Sequence, residues 1–265
     1  MDSRAEIGVF GGSGFYSFLS DVVEVRMHTP YGPPSDRLAL ATLEGRRVAF
    51  LPRHGRDHAL PAHAINYRAN LWAMRELGVR EILAPCSCGS LQAHIHPGDF
   101  VILDQFVDRT RAREDTFYSG PETRHIGAAE PYCSRLRTLA VEAAAELAIP
   151  HQSAGTIVVI QGPRFSTRAE SAWFTREGWD VVTMTQYPEV ILARELGLCY
   201  TGIALVTDYD TGIAQGREAV SIEEVFKVFQ ANVGKIQALI RALIPRLGGD
   251  RPCECEAEAH RARLH

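Results

Sequence analysis

The segment 199-CYTGIALVTDYD-210 decides how the rest of the chain is read. Its first nine residues are apolar or small, without the alternation expected of a half-solvated strand. Such a run fits a strand buried on both faces, as in parallel sheets covered by helices. The same run ends in two aspartates, Asp208 and Asp210, separated by one tyrosine. A buried charge is costly unless it has a partner. Either solvent reaches this strand end, or a ligand that seeks carboxylates does.

Outward from this segment, similar short apolar runs occur at 6–10, 47–52, 81–85, 100–107, 155–161 and 180–185. Between several of them, apolar residues recur at three- and four-residue spacing, which predicts helices over 63–78, 134–148 and 188–197. Pro188 suits the first turn of the last, and Gly197 suits its end. A long amphipathic helix is predicted over 221–244, opened by Ser221 with Glu224 three residues later, a capping-box pattern. Alternating strands and helices predict one α/β domain over residues 1–247, with a mixed central β-sheet flanked by helices. The segment 248-GGDRPCECEAEAHRARLH-265 has almost no large apolar residues and is expected to be a disordered tail. Its Cys253-Glu254-Cys255 is a C-x-C pair with no second pair beside it to complete a tetrahedral metal site. A solvated tail is therefore the first reading, and a redox or metal role the second.

Composition narrows the function classes. The 265-residue chain is 46% hydrophobic and 23% charged, ordinary for a globular protein. A net charge of −4 argues against a general nucleic-acid binder. No apolar run reaches the length of a membrane span, and the N-terminus lacks an apolar signal core. A cytoplasmic protein without nucleic-acid or membrane partners is expected.

In open α/β sheets, ligands bind beyond the carboxyl ends of strands. The residues just past each predicted strand are therefore informative. The first strand leads into Gly11-Gly12-Ser13-Gly14, where freed backbone N–H groups and a hydroxyl suit either a tight turn or an anion cradle. Neither a dinucleotide fingerprint nor a P-loop is completed there. Another ends in Arg53-His54-Gly55-Arg56, a guanidinium and an imidazole suited to an oxyanion. The spacing of His54, His58 and His63 does not favour a metal site. Cys86-Ser87-Cys88-Gly89-Ser90 offers small residues and hydroxyls, with apolar flanks that favour inert thiols. Phe165 and Ser166 can stack on and bond to a flat ring, Met184 can pack on a sugar, and Thr185 can hold a phosphate oxygen. Taken singly, core packing explains Phe165 and Met184 equally well.

Taken in order, IGVFGGSGFY, FLPRHGRDH, INYRANLWAMRELGV, CGSLQAHIHPGDFVILDQFVDRT, AEPYC, IQGPRFSTRAES, the Met184-to-Tyr200 block and TDYD resemble the trimeric purine nucleoside phosphorylase family over roughly 6–245. The resemblance is greatest to its methylthioadenosine-cleaving branch. It implies a pentosyltransferase of purine and methionine salvage. Phosphate, a co-substrate, attacks C1′ of the nucleoside and the purine leaves, with no cofactor and no metal. It assigns phosphate binding to Ser13, Arg53, His54, Ser87 and Thr185, the ribose face to Met184, and the purine pocket to Phe165 and Ser166. Asp208 matches the group that protonates N7, and Asp210 the acceptor of the 6-amino group. A carboxylate only accepts, so this pair favours adenine over 6-oxopurines. His125 matches a residue near the 5′ group of a neighbouring subunit in a homotrimer or dimer of trimers. Ile222, Val225 and Phe226 match an apolar 5′ pocket suited to a methylthio group, although the core face of any amphipathic helix has the same pattern.

The chain departs from the family pattern at Thr183, Gln186, Tyr187, Cys86-Ser87 and Phe226, which bears on substrate preference. Two alternatives stand beside the main reading. One is a phosphorylase of 6-oxopurine nucleosides or methylthioinosine. The other is a non-catalytic nucleoside-binding protein on the same fold.

Overall fold

The computed structural model describes residues 4–11, 19, 21–211 and 220–263. Its strands are β1 (Ile7–Gly11), β2 (Val23–Val25), β3 (Leu38–Leu43), β4 (Arg46–Pro52), β5 (Glu81–Ser90), β6 (Phe100–Ile102), β7 (Gln105–Arg109), β8 (His151–Gln152), β9 (Thr156–Ile160), β10 (Val181–Thr183) and β11 (Cys199–Asp208). The helices are α1 (Tyr67–Glu76), α2 (Ser134–Glu146), α3 (Arg168–Arg176), α4 (Gln186–Glu195), α5 (Ile222–Leu243) and α6 (Cys255–Arg261). The strands form one mixed sheet in the order β2-β3-β4-β1-β5-β10-β9-β7, with β11, β6 and β8 branching from β5. Strand β5 is the junction. It pairs parallel with β1 and with β11, and its last two residues pair antiparallel with β10.

All ten residues of β11 are buried. Tyr200, Ala204 and Val206 enter a core with Leu71 and Met74 of α1 and Val190 and Leu192 of α4. Cys199, Ile203 and Leu205 enter another with Leu136 of α2 and Leu239 and Ile240 of α5. Two covered faces explain a strand without alternation, and each large aliphatic side chain buried there contributes about 1.5–3 kcal/mol. Ser221 caps α5 by accepting the Glu224 N–H at 3.2 Å, as its sequence predicts.

Three local expectations need correction. The run 100–107 is two strands, because β6 pairs with β11 while β7 pairs with β9. The break falls at Leu103-Asp104, where the Asp104 carboxylate accepts the Gly155 N–H at 3.0 Å. Helix α3 lies in a segment read only as a loop motif. It starts at a full capping box between Thr167 and Glu170. The tail is not unstructured. Helix α6 packs against α4, with Cys255, Ala259 and Ala262 buried and an Arg194–Glu258 ion pair. Small side chains and thiols make this contact, so the scarcity of large apolar residues was misleading. No helix among the described residues is long and apolar enough to cross a membrane.

Candidate active site

A cavity of about 570 Å³ opens beyond the carboxyl ends of β5 and β11, where an α/β sheet places ligands. Its floor depends on one irregularity. Strands β11 and β5 run in register to Val206 opposite Cys88, and then a bulge sets Asp208 opposite Gly89. Bulges redirect side chains next to functional sites. A side chain on Gly89 would come within 2.8 Å of the Asp208 carboxylate and 3.2 Å of the Asp210 Cα, so only glycine admits both acids here.

Asp208 and Asp210 are both buried, and both line the cavity. The Thr207 hydroxyl donates to Asp208 Oδ2 at 2.8 Å, and the Asp210 N–H donates to Asp208 Oδ1 at 2.7 Å. Burial nevertheless pushes the Asp208 carboxyl up to about 6, because it penalises the charged form more than these two donors favour it. Burial also raises Asp210, against the nearby Ser171 and Ser166 hydroxyls. Asp210 Oδ2 and Ser166 Oγ are buried and make no hydrogen bond of good geometry among the described residues. Unsatisfied buried polar atoms call for an explanation; Asp210 lines the cavity, whereas Ser166 is not among the residues that line it.

The cavity is also lined by Arg53, His54, Ser87 and Thr185. Arg53 is not a free cation. It grips Glu189 of α4 through Nε and Nη2 at 2.6 and 2.7 Å and donates from Nη1 to the Pro85 carbonyl at 3.2 Å. Glu189 is itself held by the Tyr200 hydroxyl at 2.7 Å. A guanidinium has five N–H bonds, so one on each terminal nitrogen remains for an anion. His54 bonds through Nδ1 to the Leu60 carbonyl at 2.9 Å and stacks on His58. Burial lowers His54 to about 4, so the ring is neutral at pH 7. With Nδ1–H donating to a carbonyl, Nε2 is an acceptor, suited to a protonated oxyanion. Burial raises the Cys86 thiol to about 11, as expected of an inert cysteine.

Met184, Phe165, Ile222, Val225 and Phe226 complete the cavity, and Phe165, Ile222 and Phe226 are exposed apolar side chains at its mouth. Helix α5 therefore presents two faces, one in the core and one at the cavity. Phe165 sits on a loop clamped by Arg164, which pairs with Glu170 at 2.8 Å through two nitrogens. Sequence reasoning missed Gly89, Thr207, Glu189 and this clamp. The Thr167-x-x-Glu170 spacing was the one readable signal for the clamp. Gln186 and Tyr187 turn away from the cavity. Gln186 accepts from the Tyr132 hydroxyl, and the Tyr187 hydroxyl bonds to Asp115. Their bulk does not narrow the site. His125 lies apart from the cavity, exposed, with its N–H donating to the Ala262 carbonyl at 2.9 Å. Ser13 lies outside the described residues.

Residues 6–245 match the Phosphorylase superfamily. A purine nucleoside phosphorylase of Streptomyces coelicolor is 53% identical, with 96% of this chain and 94% of that protein aligned. An S-methyl-5′-thioadenosine phosphorylase of Mycobacterium tuberculosis is 49% identical, with 96% and 94% aligned. The methylthioadenosine phosphorylase of Schistosoma mansoni, solved with adenine, superposes with a TM-score of 0.92 at 36% identity, covering 98% of this chain and 99% of that one.

Proposed function

The chain belongs to the phosphorylase superfamily, and from that premise we propose that it is a pentosyltransferase that cleaves S-methyl-5′-thioadenosine with inorganic phosphate. The products are adenine and 5-methylthioribose 1-phosphate, which serve purine and methionine salvage. The observation that carries this reading is the buried pair Asp208 and Asp210, both of which line the cavity. An acceptor held in that way suits the 6-amino group of adenine and repels the carbonyl of a 6-oxopurine.

The chemistry is divided between two groups of residues. Phosphate is a weak nucleophile, so its positioning beneath C1′ is the first contribution, made by Arg53, His54, Ser87, Thr185 and Ser13. The C1′–N9 bond breaks through an oxocarbenium-like transition state that the phosphate anion stabilises. The electrons released flow into the purine, and Asp208 delivers a proton at N7. Its raised pKa fits it for general-acid work. Met184 supports the ribose, Phe165 and Ser166 hold the base, and Ile222, Val225 and Phe226 enclose the 5′ methylthio group. A hydroxyl there would lose its hydrogen bonds. The exposed His125 lies apart from its own cavity, which fits a homotrimer in which it closes a neighbour's 5′ site. The reaction takes no metal or organic cofactor, and cytoplasmic salvage is its setting.

The relative from Streptomyces coelicolor bears a purine nucleoside phosphorylase name, so preference for 6-oxopurine nucleosides is the reading to test against. The test is phosphate-dependent cleavage of methylthioadenosine, adenosine, methylthioinosine and inosine. Methylthioadenosine is expected to give the highest kcat/KM, ahead of both 6-oxopurines by at least about 100-fold. Faster turnover of inosine or methylthioinosine would sink the assignment of the two aspartates. Tight purine binding without phosphate-dependent base release would instead indicate a non-catalytic binder.

A further inference from the structure

Away from the cavity, at the other end of β11, four of the six cysteines converge. They are Cys133, the N-cap of α2; Cys199, the first residue of β11; Cys253; and Cys255, the first residue of α6. Their sulfurs all lie within 4.8 Å of one another, and Cys199 Sγ is 3.4 Å from Cys253 Sγ. A tetrahedral tetrathiolate with metal–sulfur bonds of about 2.3 Å has sulfur–sulfur edges of about 3.8 Å. The observed spread brackets that value. Cys133, Cys199 and Cys255 are buried, and Cys253 packs against the same core.

We propose that Cys133, Cys199, Cys253 and Cys255 form a closed structural site for one thiophilic divalent ion, zinc, that staples the C-terminal helix to the sheet. Four sulfurs arranged tetrahedrally, with no open ligand position, are the donor set that selects zinc. As the ion binds, the thiol protons leave to solvent. Four thiolates around a divalent ion leave excess negative charge, and the guanidinium of Arg251, which is ion-paired with Glu256, lies beside them. The side chain of Arg251 is buried, its Nη1 is 3.7 Å from Cys199 Sγ, and its Nε has no hydrogen-bond partner among the described residues. Charged neighbours of this kind tune and hold metal ligands.

A second observation shows why a staple is needed. Helix α6 has seven residues, and its buried side chains are a thiol and an alanine, with Ala262 at its cap. A helix so short is marginal without tertiary anchorage. Yet its cap carries a load, since the Ala262 carbonyl accepts the His125 N–H and Arg263 bridges to Arg124. The thiols anchor what the apolar contact area does not.

The experiment is metal analysis of the full chain, expressed with zinc and purified without chelator. One zinc per chain is expected, falling below one tenth in C253S/C255S and unchanged in the control C88S. Cobalt(II) exchanged into the wild-type chain should show the intense visible and thiolate charge-transfer bands of a tetrahedral tetrathiolate. Chelator treatment should lower Tm by about 10 °C and expose four further thiols to a thiol reagent. Should the serine variants fail to fold, the cobalt spectrum and thiol count of the wild-type chain decide alone. A metal-free chain with two free thiols would mean that disulfides occupy the cluster and would overturn the proposal. A metal-free chain with six free thiols, or zinc retained by C253S/C255S, would do so equally.

Discussion

Strand β11 ends in buried polar side chains on both sides, roughly 30 Å apart, and the two ends solve the same physical problem in opposite ways. At the carboxyl end, Asp208 and Asp210 line an open cavity, and one Asp210 oxygen makes no hydrogen bond of good geometry among the described residues. At the start, Cys199 faces three other thiols in close packing, and none of the four lines the cavity. Polar atoms turned toward an opening suit a partner that arrives and leaves. Polar atoms turned toward one another suit a partner that stays. On the proposed reading the contrast separates catalysis from anchorage along a single strand, and each end should fail in its own way.

The largest effect is expected at the carboxyl end. Asp208→Asn keeps the shape but removes the proposed proton donor, and kcat/KM for methylthioadenosine should fall about 10²–10⁴-fold with little change in Tm. Turnover equal to wild type would break the comparison, because the buried acid would then be structural too. By contrast, C253S/C255S should lower Tm while leaving kcat of the folded fraction within about twofold, since no cysteine of the cluster touches the cavity. A kcat loss at full stability would make the thiol end functional in its own right.

A pH profile sharpens the same contrast. Burial moves the Asp208 carboxyl from 3.8 to about 6. Between those values the folded chain keeps a proton that the unfolded chain has lost, so this group's favourable contribution to stability is present below the window and is lost as pH rises through it. The proposed general acid is lost over the same rise. The kcat/KM for the nucleoside should therefore decline above about pH 6. Asp208→Asn should lack that limb and retain only what phosphate ionisation imposes. An unchanged profile in the variant would assign the limb elsewhere.

The smallest effect belongs to the mouth of the cavity. Phe226 is half-exposed, so Phe226→Ala gives up only part of an aromatic contact. The KM for methylthioadenosine should rise by roughly 3–10-fold, with kcat and the KM for adenosine nearly unchanged. Equal losses on both nucleosides would show that Phe226 packs α5 rather than receiving the 5′ group.

The apolar, unalternating run 199–207 by itself determined a strand buried on both faces, and the aspartates after it marked the end that borders the cavity. The strand-end residues Arg53, His54, Ser87, Met184 and Thr185 were legible for the same reason: an α/β sheet gathers the segments after its strands on one edge. The same logic does not reach residues whose role depends on a partner distant in sequence. Arg53 was legible as a guanidinium suited to an oxyanion, but not Glu189, 136 residues away, which holds it. Gly89 and the bulge at Val206/Asp208 are features of register between β5 and β11, which neither strand carries alone. The tail was misread because a helix docked through thiols and alanines lacks the large apolar residues that signal burial. Cys253 and Cys255 had no visible second pair, since Cys133 and Cys199 lie 54 residues or more upstream. Local pattern determines which faces of a segment are buried, because hydrophobic periodicity is a property of the segment. Which polar atoms meet is decided by tertiary structure, because only chain closure brings distant donors, acceptors and thiols within bonding distance.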